Sequence, residues 1–375
     1  MIGSLVSAAG LAGEPGLLLP ALAGFVLTGG LCLLLVLTQD WHGSVTHDHT
    51  DGVQKFHRTP TPRIGGAAIA LAYLLIWPLV PPAQAEIWGL IGLAGMPALA
   101  AGLGEDLTRR VSVRWRLLAT MGAGVLFALA TGYVMDDVDL PGVDWLLGFW
   151  AVALLFTGFA MGGVANAINI IDGFNGLAAG TLIIMFLGFA WVADQVGDQM
   201  VFGLALLYAA IVAGFFVVNF PLGKIFLGDG GAYFCGFLLA SLGVLLPSRN
   251  PEVSAWTAIL ICGYPVIETL ASMRRKARRP GHSVGKPDRV HFHMLAHRRY
   301  GRRLAPKSKL HLRNPATSVV TWIIPCLTTV FVMLAWQSAL ASAFLFFVTA
   351  GIYGSLYQVM SLNGRRMPLG LARLF

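Results

Sequence analysis

Five short segments of this chain carry residue types that can do chemistry, and each interrupts an apolar stretch. Gly104-Glu105-Asp106 sets two carboxylates side by side, followed by Arg109, Arg110, Arg114 and Arg116. Adjacent carboxylates at a membrane surface bind a divalent cation or raise one another's proton affinity, and forked guanidinium groups suit phosphate. Asn166, Asn169, Asp172 and Asn175 recur at three-residue steps, so a helical end would stack them along one stripe directly after an apolar run. Polar groups there are expensive and usually functional. Gly228-Asp229-Gly230-Gly231 offers a lone carboxylate among glycines, a metal ligand with backbone amides free to meet phosphate.

The other two segments are cationic. His57-Arg58-Thr59-Pro60-Thr61-Pro62-Arg63-Ile64-Gly65-Gly66 is a proline-stiffened loop ending in a glycine pair that permits close backbone approach. In Asp288-Arg289-Val290-His291-Phe292-His293-Met294-Leu295-Ala296-His297, the histidine spacing suggests zinc. No cysteine or neighbouring carboxylate set completes a tetrahedral site, so Arg289, His291 and His293 better suit phosphate and sugar hydroxyls. Each segment also has a plain reading: a loop-to-helix junction, a topology-setting charge cluster, a turn, or a basic loop on anionic headgroups. Together they place carboxylates, amides and cations on one membrane face. That assembly suits a metal-bound diphosphate substrate meeting a lipid.

The elements that must position these residues are membrane helices. The chain has 375 residues, 56% hydrophobic and 12% charged, with a mean hydropathy of +0.72. Soluble domains carry about 25% charged residues, so an ordinary soluble enzyme, a disordered chain and a fibrous one are excluded. Apolar windows at 17–38, 64–83, 86–103, 115–135, 145–166, 176–194, 199–220, 231–247, 254–273, 316–336 and 338–360 predict an all-α, polytopic integral membrane protein of about 11 transmembrane helices. Prolines 78, 221, 265 and 325 are expected to be tolerated within them. With the N-terminus outside and the C-terminus cytoplasmic, 25 of the 26 Lys and Arg residues fall inside and only Arg249 outside. The net charge of +8 then reads as an orientation signal, with no nucleic-acid partner.

The expected organisation is a single domain over 1–375 holding a large basic cytoplasmic loop at 274–315. No cleaved signal peptide is read at the N-terminus. Cys32, Cys235, Cys262 and Cys326 read as buried small hydrophobes without disulfides.

The string NAINIIDGFNGLAAG, with HRTPTPRIGG before it and FLGDGGAYFCGF and DRVHFHML after it, resembles the polyprenyl-phosphate N-acetylhexosamine-1-phosphate transferases over residues 54–299. The histidine loop is closer to the WecA-like branch of that family than to the branch using muramyl-pentapeptide donors. The resemblance implies transfer of a sugar-1-phosphate from a UDP-sugar to undecaprenyl phosphate at the cytoplasmic face of the bacterial inner membrane. UMP is released, Mg²⁺ or Mn²⁺ is required, and the step initiates cell-envelope polysaccharide synthesis. It implies that Asp229 binds the metal with the Asn169 amide nearby, that Asp172 shares the same motif, and that Asn175 lies at the uracil. Arg289, His291 and His293 would contact the sugar-diphosphate.

The family's paired aspartates appear here as Glu105-Asp106, which keeps the charge but lengthens one side chain by a methylene. Glu105, Asp106, Asp172 and Asp229 are the expected catalytic carboxylates. Asn166, Asn169, Asn175, Arg114, Arg116, Arg289, His291 and His293 are the expected substrate-binding residues. Partners are then a UDP-sugar, undecaprenyl phosphate and the lipid bilayer, with room for a homodimer. Direct attack by the lipid phosphate and a two-step aspartyl-phosphate route both fit these residues. The alternative class is a secondary transporter or lipid flippase, which would need ionisable residues at mid-membrane. Glu268 is the nearest to that, close to the inner end of its window. A catalytically inactive scaffold is the third reading, kept open by Glu105.

Overall fold

The computed structural model describes residues 15–48, 60–278, 290–304 and 310–361, and most of them are helical. The helices are α1 (Pro15–Leu37), α2 (Gln39–Thr46), α3 (Gly65–Leu75), α4 (Pro82–Thr108), α5 (Val113–Thr131), α6 (Pro141–Leu147), α7 (Trp150–Ile171) and α8 (Leu177–Gln195). They continue with α9 (Gln199–Asn219), α10 (Gly228–Arg249), α11 (Ala255–Ile261), α12 (Gly263–Ala277), α13 (Phe292–Ala296), α14 (Arg313–Thr321), α15 (Ile323–Ala335) and α16 (Ala339–Ser361). A two-residue antiparallel pair, β1 (His47–Asp48) with β2 (Thr61–Pro62), is the sheet among the described residues.

By length and apolar composition nine described helices qualify as membrane spans, ten when α11 and α12, bent by 82°, count as one. The window 64–83 departs from expectation. Its helix α3 has 11 residues, about 16 Å of rise against a hydrocarbon core of about 30 Å. Pro78 is not absorbed into a helix but lies in a 3₁₀ turn (Trp77–Leu79) after α3, because proline clashes with the preceding helical turn. Pro221 likewise lies beyond α9, in a cis peptide bond with Phe220. The short passage still connects opposite ends of the bundle. Gly65 donates its N–H to the Phe226 carbonyl at 2.9 Å, while Pro81 packs against Gly16 at the start of α1.

Helix α10 is the centre of the bundle, packed between α4, α7 and α3 and buried along most of its length. Glycines make that packing possible. A Cβ on Gly66 of α3 would lie 2.1 Å from the Gly231 nitrogen, and one on Gly102 of α4 would lie 2.5 Å from the Gly230 nitrogen. Backbones therefore meet directly at the N-terminus of α10, as small residues allow between membrane helices. Outer helices such as α1, α5 and α7 turn leucines and aromatics outward, as lipid-facing surfaces do. Cys32, Cys235 and Cys262 are buried free thiols as expected, but Cys326 is exposed on α15, since an apolar window does not say which face of its helix turns outward.

Candidate active site

The polar segments converge on the N-terminal turn of α10. β2 and the residues after it run beside the segment entering this helix: Phe226 N–H bonds to the Pro62 carbonyl at 2.8 Å and Gly66 N–H to the Leu227 carbonyl at 2.9 Å. Gly228 follows with φ of +75°, and a Cβ there would strike both the Arg63 carbonyl and the Asp106 carboxylate at 2.5 Å. Only glycine satisfies the backbone and the space at once.

Asp106, 4% exposed, reaches from α4 to accept the N–H groups of Asp229 at 2.9 Å and Gly230 at 2.8 Å. It thereby caps the N-terminus of α10, where orphan donors and the helix dipole favour an anion. Arg63 Nε lies 3.2 Å from the same carboxylate, and its Nη2 donates to Asp229 Oδ1. Arg116, from α5, donates to Asp229 Oδ2, and Asn169 Nδ2, from α7, donates to Oδ1 at 3.1 Å. Burial opposes the charge on Arg63, but Asp229, Asp106, Asp48 and Asp172 together outweigh it and raise its pKa. Asp172 ends α7. Burial pushes its carboxyl up to about 7; Arg63 pulls it back, and Asp229 and Asp106 push it further.

The loop after Asp172 is held by asparagines. Asn175 Nδ2 donates to the Pro221 carbonyl at 3.0 Å, and Asn175 N–H donates to Asn314 Oδ1 at 2.7 Å. Gly176 N–H donates to Asn219 Oδ1 at 2.5 Å. The histidine segment flanks this loop. The His293 ring packs edge-on to Phe174, 5.7 Å between centroids, and stacks on His291 at 5.4 Å.

Of the expected residues, Asp106, Asp229, Asn169 and Arg116 meet in one hydrogen-bonded cluster, and Asp172 adds its charge to it. Three do not join. Glu105 Oε2 accepts the Val111 N–H at 2.9 Å and shapes the turn after α4, because consecutive helical residues point about 100° apart. Asn166 donates to Thr120 Oγ1 and the Gly162 carbonyl, both at 2.8 Å, one turn deeper in the bundle. Arg114 is exposed on the first turn of α5. Arg289 lies outside the described residues.

Two residues were not singled out for the site. Arg63 stands in the proline-rich motif as one cation among several, yet it bridges two carboxylates. Glu268 supplies from α12 the carboxylate that the histidine segment lacked in sequence, 2.9 Å from His291 Nδ1.

A divalent cation fits these residues. The Asp229 and Asp172 carboxylates and the Asn169 side-chain amide carry hard oxygen ligands of the kind magnesium and manganese take, although it is the Asn169 nitrogen that faces Asp229 here. Among the described residues no group of three or more His, Cys, Asp or Glu forms a ready cage.

Residues 88–246 match the model of glycosyl transferase family 4. The chain is 29% identical over 250 residues to the probable undecaprenyl-phosphate N-acetylglucosaminyl 1-phosphate transferase of Bacillus subtilis, covering 64% of this chain and 66% of that protein. It is 28% identical over 265 residues to the decaprenyl-phosphate N-acetylglucosaminephosphotransferase of Mycobacterium leprae, covering 63% and 66%. It is 26% identical over 339 residues to the phospho-N-acetylmuramoyl-pentapeptide-transferase of Lactobacillus johnsonii, covering 85% and 98%. The matched region thus spans just under two thirds of the first two relatives.

Proposed function

We propose, from the match of residues 88–246 to glycosyl transferase family 4 and the similarity to its relatives, that this chain belongs to that family and transfers a sugar-1-phosphate from a UDP-N-acetylhexosamine to undecaprenyl phosphate. Two of the relatives it resembles are named for a polyprenyl phosphate together with N-acetylglucosamine phosphate. One observation carries the reading: Asp229 is met by Arg63, Arg116 and Asn169 from three other segments. Two guanidinium groups beside one carboxylate can transfer their donors to incoming phosphate, leaving Asp229 free.

In the reaction a lipid phosphate oxygen bonds to the β-phosphorus as the bond from that phosphorus to the bridging oxygen breaks. UMP departs with that oxygen and its electron pair. Arg63 and Arg116 hold the phosphates in line, and such catalysis is mostly positioning and charge stabilisation. Asp172, with its carboxyl near 7, is suited to take the proton of a singly protonated lipid phosphate. Asp106 keeps Arg63 and the α10 N-terminus in place. Mg²⁺ or Mn²⁺, held by Asp229 and Asn169, would supply neutralisation of the diphosphate and of the departing UMP.

A transporter reading finds less support, since Glu268 draws its partners from the same end of the bundle as Asp229 and marks no path across it. The basic segments lie at that end, and their charge bias supports a cytoplasmic active site in the bacterial inner membrane with the N-terminus outside.

The test is a panel of UDP-sugars supplied with undecaprenyl phosphate and Mg²⁺ to membranes containing the full chain. UMP release with a UDP-N-acetylhexosamine and a matching lipid-diphosphate sugar are expected. No turnover with any donor would overturn the assignment.

A further inference from the structure

Glu268 is 0% exposed, and its carboxylate is surrounded by donors from four places. His291 Nδ1 lies 2.9 Å away, the Phe292 N–H 3.0 Å, Tyr353 Oη 2.8 Å and Arg275 Nη2 3.4 Å. An ionised carboxylate offers about four lone-pair directions and no proton. These contacts use them, so Glu268 has no acceptor capacity left for substrate. It also accepts at Nδ1, which fixes the proton on that nitrogen and turns His291 Nε2 the other way. The His291 ring lies nearly parallel to that of His293, with 9° between the planes. His293 in turn stands against Gly173, whose Cβ would come 3.0 Å from His293 Nε2. The chain of contacts therefore runs from a buried carboxylate, through two stacked imidazoles, to the loop beginning at Asp172.

We propose that Glu268 is a positioning residue for donor recognition: it fixes the His291 ring so that Nε2 is presented to the sugar-phosphate of the nucleotide donor. Tyr353 extends the arrangement to α16, so the last helix steadies the same carboxylate. The Tyr357 hydroxyl, donating to the Val290 carbonyl at 2.9 Å, holds the segment just before His291. Partners behind a binding histidine orient its ring and select its tautomer, and their loss typically costs about 10- to 100-fold.

The inference rests on the transferase reading, and its test separates the two. Kinetics of the full-length protein in membranes are measured with the UDP-sugar turned over fastest by the wild type, varying donor and undecaprenyl phosphate in turn. Glu268→Gln leaves an amide N–H facing other donors. It is expected to lower kcat/KM for the UDP-sugar about 10- to 100-fold while leaving the KM for the lipid phosphate within about 2-fold. Glu268→Asp should restore part of the loss. His291→Asn should match Glu268→Gln, and the double variant should lose no more than either.

Tyr353→Phe, which touches neither Glu268 nor His291 covalently, should cost about 5-fold on the same parameter. It carries the test should Glu268→Gln fail to accumulate. Losses that multiply in the double variant, equal rises in both KM values, or wild-type kinetics in Tyr353→Phe or Glu268→Gln would overturn the positioning role with the transferase reading intact. A wild type that releases no UMP from any donor would overturn both.

Discussion

The two ends of the helix bundle use the same ingredients, aspartate and arginine, to opposite effect. At the far end Asp198 caps α9, accepting the Val201 N–H at 3.1 Å, Arg249 Nε at 2.7 Å and Asn250 Nδ2 at 3.0 Å. Burial raises its proton affinity, but Arg249, Val201 and Asn250 outweigh that and hold the carboxyl below its usual range. One carboxylate is saturated by its own neighbours. At the other end Asp106, Asp172 and Asp229 lie close enough to repel one another, and Asp172 is pushed up to about 7. There Arg63 must serve Asp106 and Asp229 together. A satisfied ion pair fastens loops; a crowded set of carboxylates under shared cations is poised to exchange partners.

The largest break in this contrast is expected at Asp229. Asp229→Asn keeps the shape but removes the charge that Arg63 and Arg116 face, and UMP release in the Mg²⁺-supplied membrane assay should fall by about 10³-fold or more. Full activity would sink the metal and phosphate roles together. Gly66→Ala comes next and acts through packing. Its Cβ would meet the Gly231 nitrogen at 2.1 Å, forcing α3 off α10 at a cost of about 3 kcal/mol. A lower melting temperature in detergent and reduced turnover should appear together, because the clash lies directly behind Asp229. An unchanged melting temperature would mean that α3 and α10 are not in backbone contact.

The far end should behave in the opposite way. Asp198→Ala is expected to lower stability by about 2 kcal/mol while leaving the KM values and pH optimum of transfer unchanged. Since the folded-state pKa lies below the unfolded value of about 3.9, the contribution is full above pH ~4 and is lost as pH falls through the folded value. Melting curves of wild type and variant should therefore separate at pH ~7 and converge in acid. A gap that persists at acid pH would assign the loss to packing and not to the ion pair.

Much of this arrangement was legible in the sequence because apolar length and loop charge announce a membrane bundle, and because polar residues are costly beside such runs. Asp229, Asn169 and Asp106 were readable for that reason. What one dimension concealed is where each side chain turns. Asn166 and Asn169 share a helix face, yet one turn of rise separates a cluster contact from a buried bond to Thr120. Arg63 looked like part of a stiff loop, and its value comes from a β2 and α10 pairing that brings residues 63 and 229 together. Glu268 sits inside an apolar window, and only the fold reveals that the histidine segment and α16 close over it. The brevity of α3 was hidden for another reason: hydropathy does not register that Pro78 closes a helix.

Glu105 supplies the smallest expected effect and the sharpest test of how the pair with Asp106 divides its work. Its carboxylate accepts the Val111 N–H while Asp106 accepts from α10. The adjacent residues thus serve a turn and the site respectively. Shortening the side chain by one methylene in Glu105→Asp lengthens or loses a single hydrogen bond at a partly exposed turn. Turnover should then change by no more than about 3-fold. Arg116 limits the effect from below, since Glu105 adds to the field on that guanidinium even without touching Asp229. A gain of 10-fold or more would show that position 105 belongs to the reacting cluster and that this chain carries a weakened version of it. A change within the expected range would leave Asp106 alone as the working member of the pair.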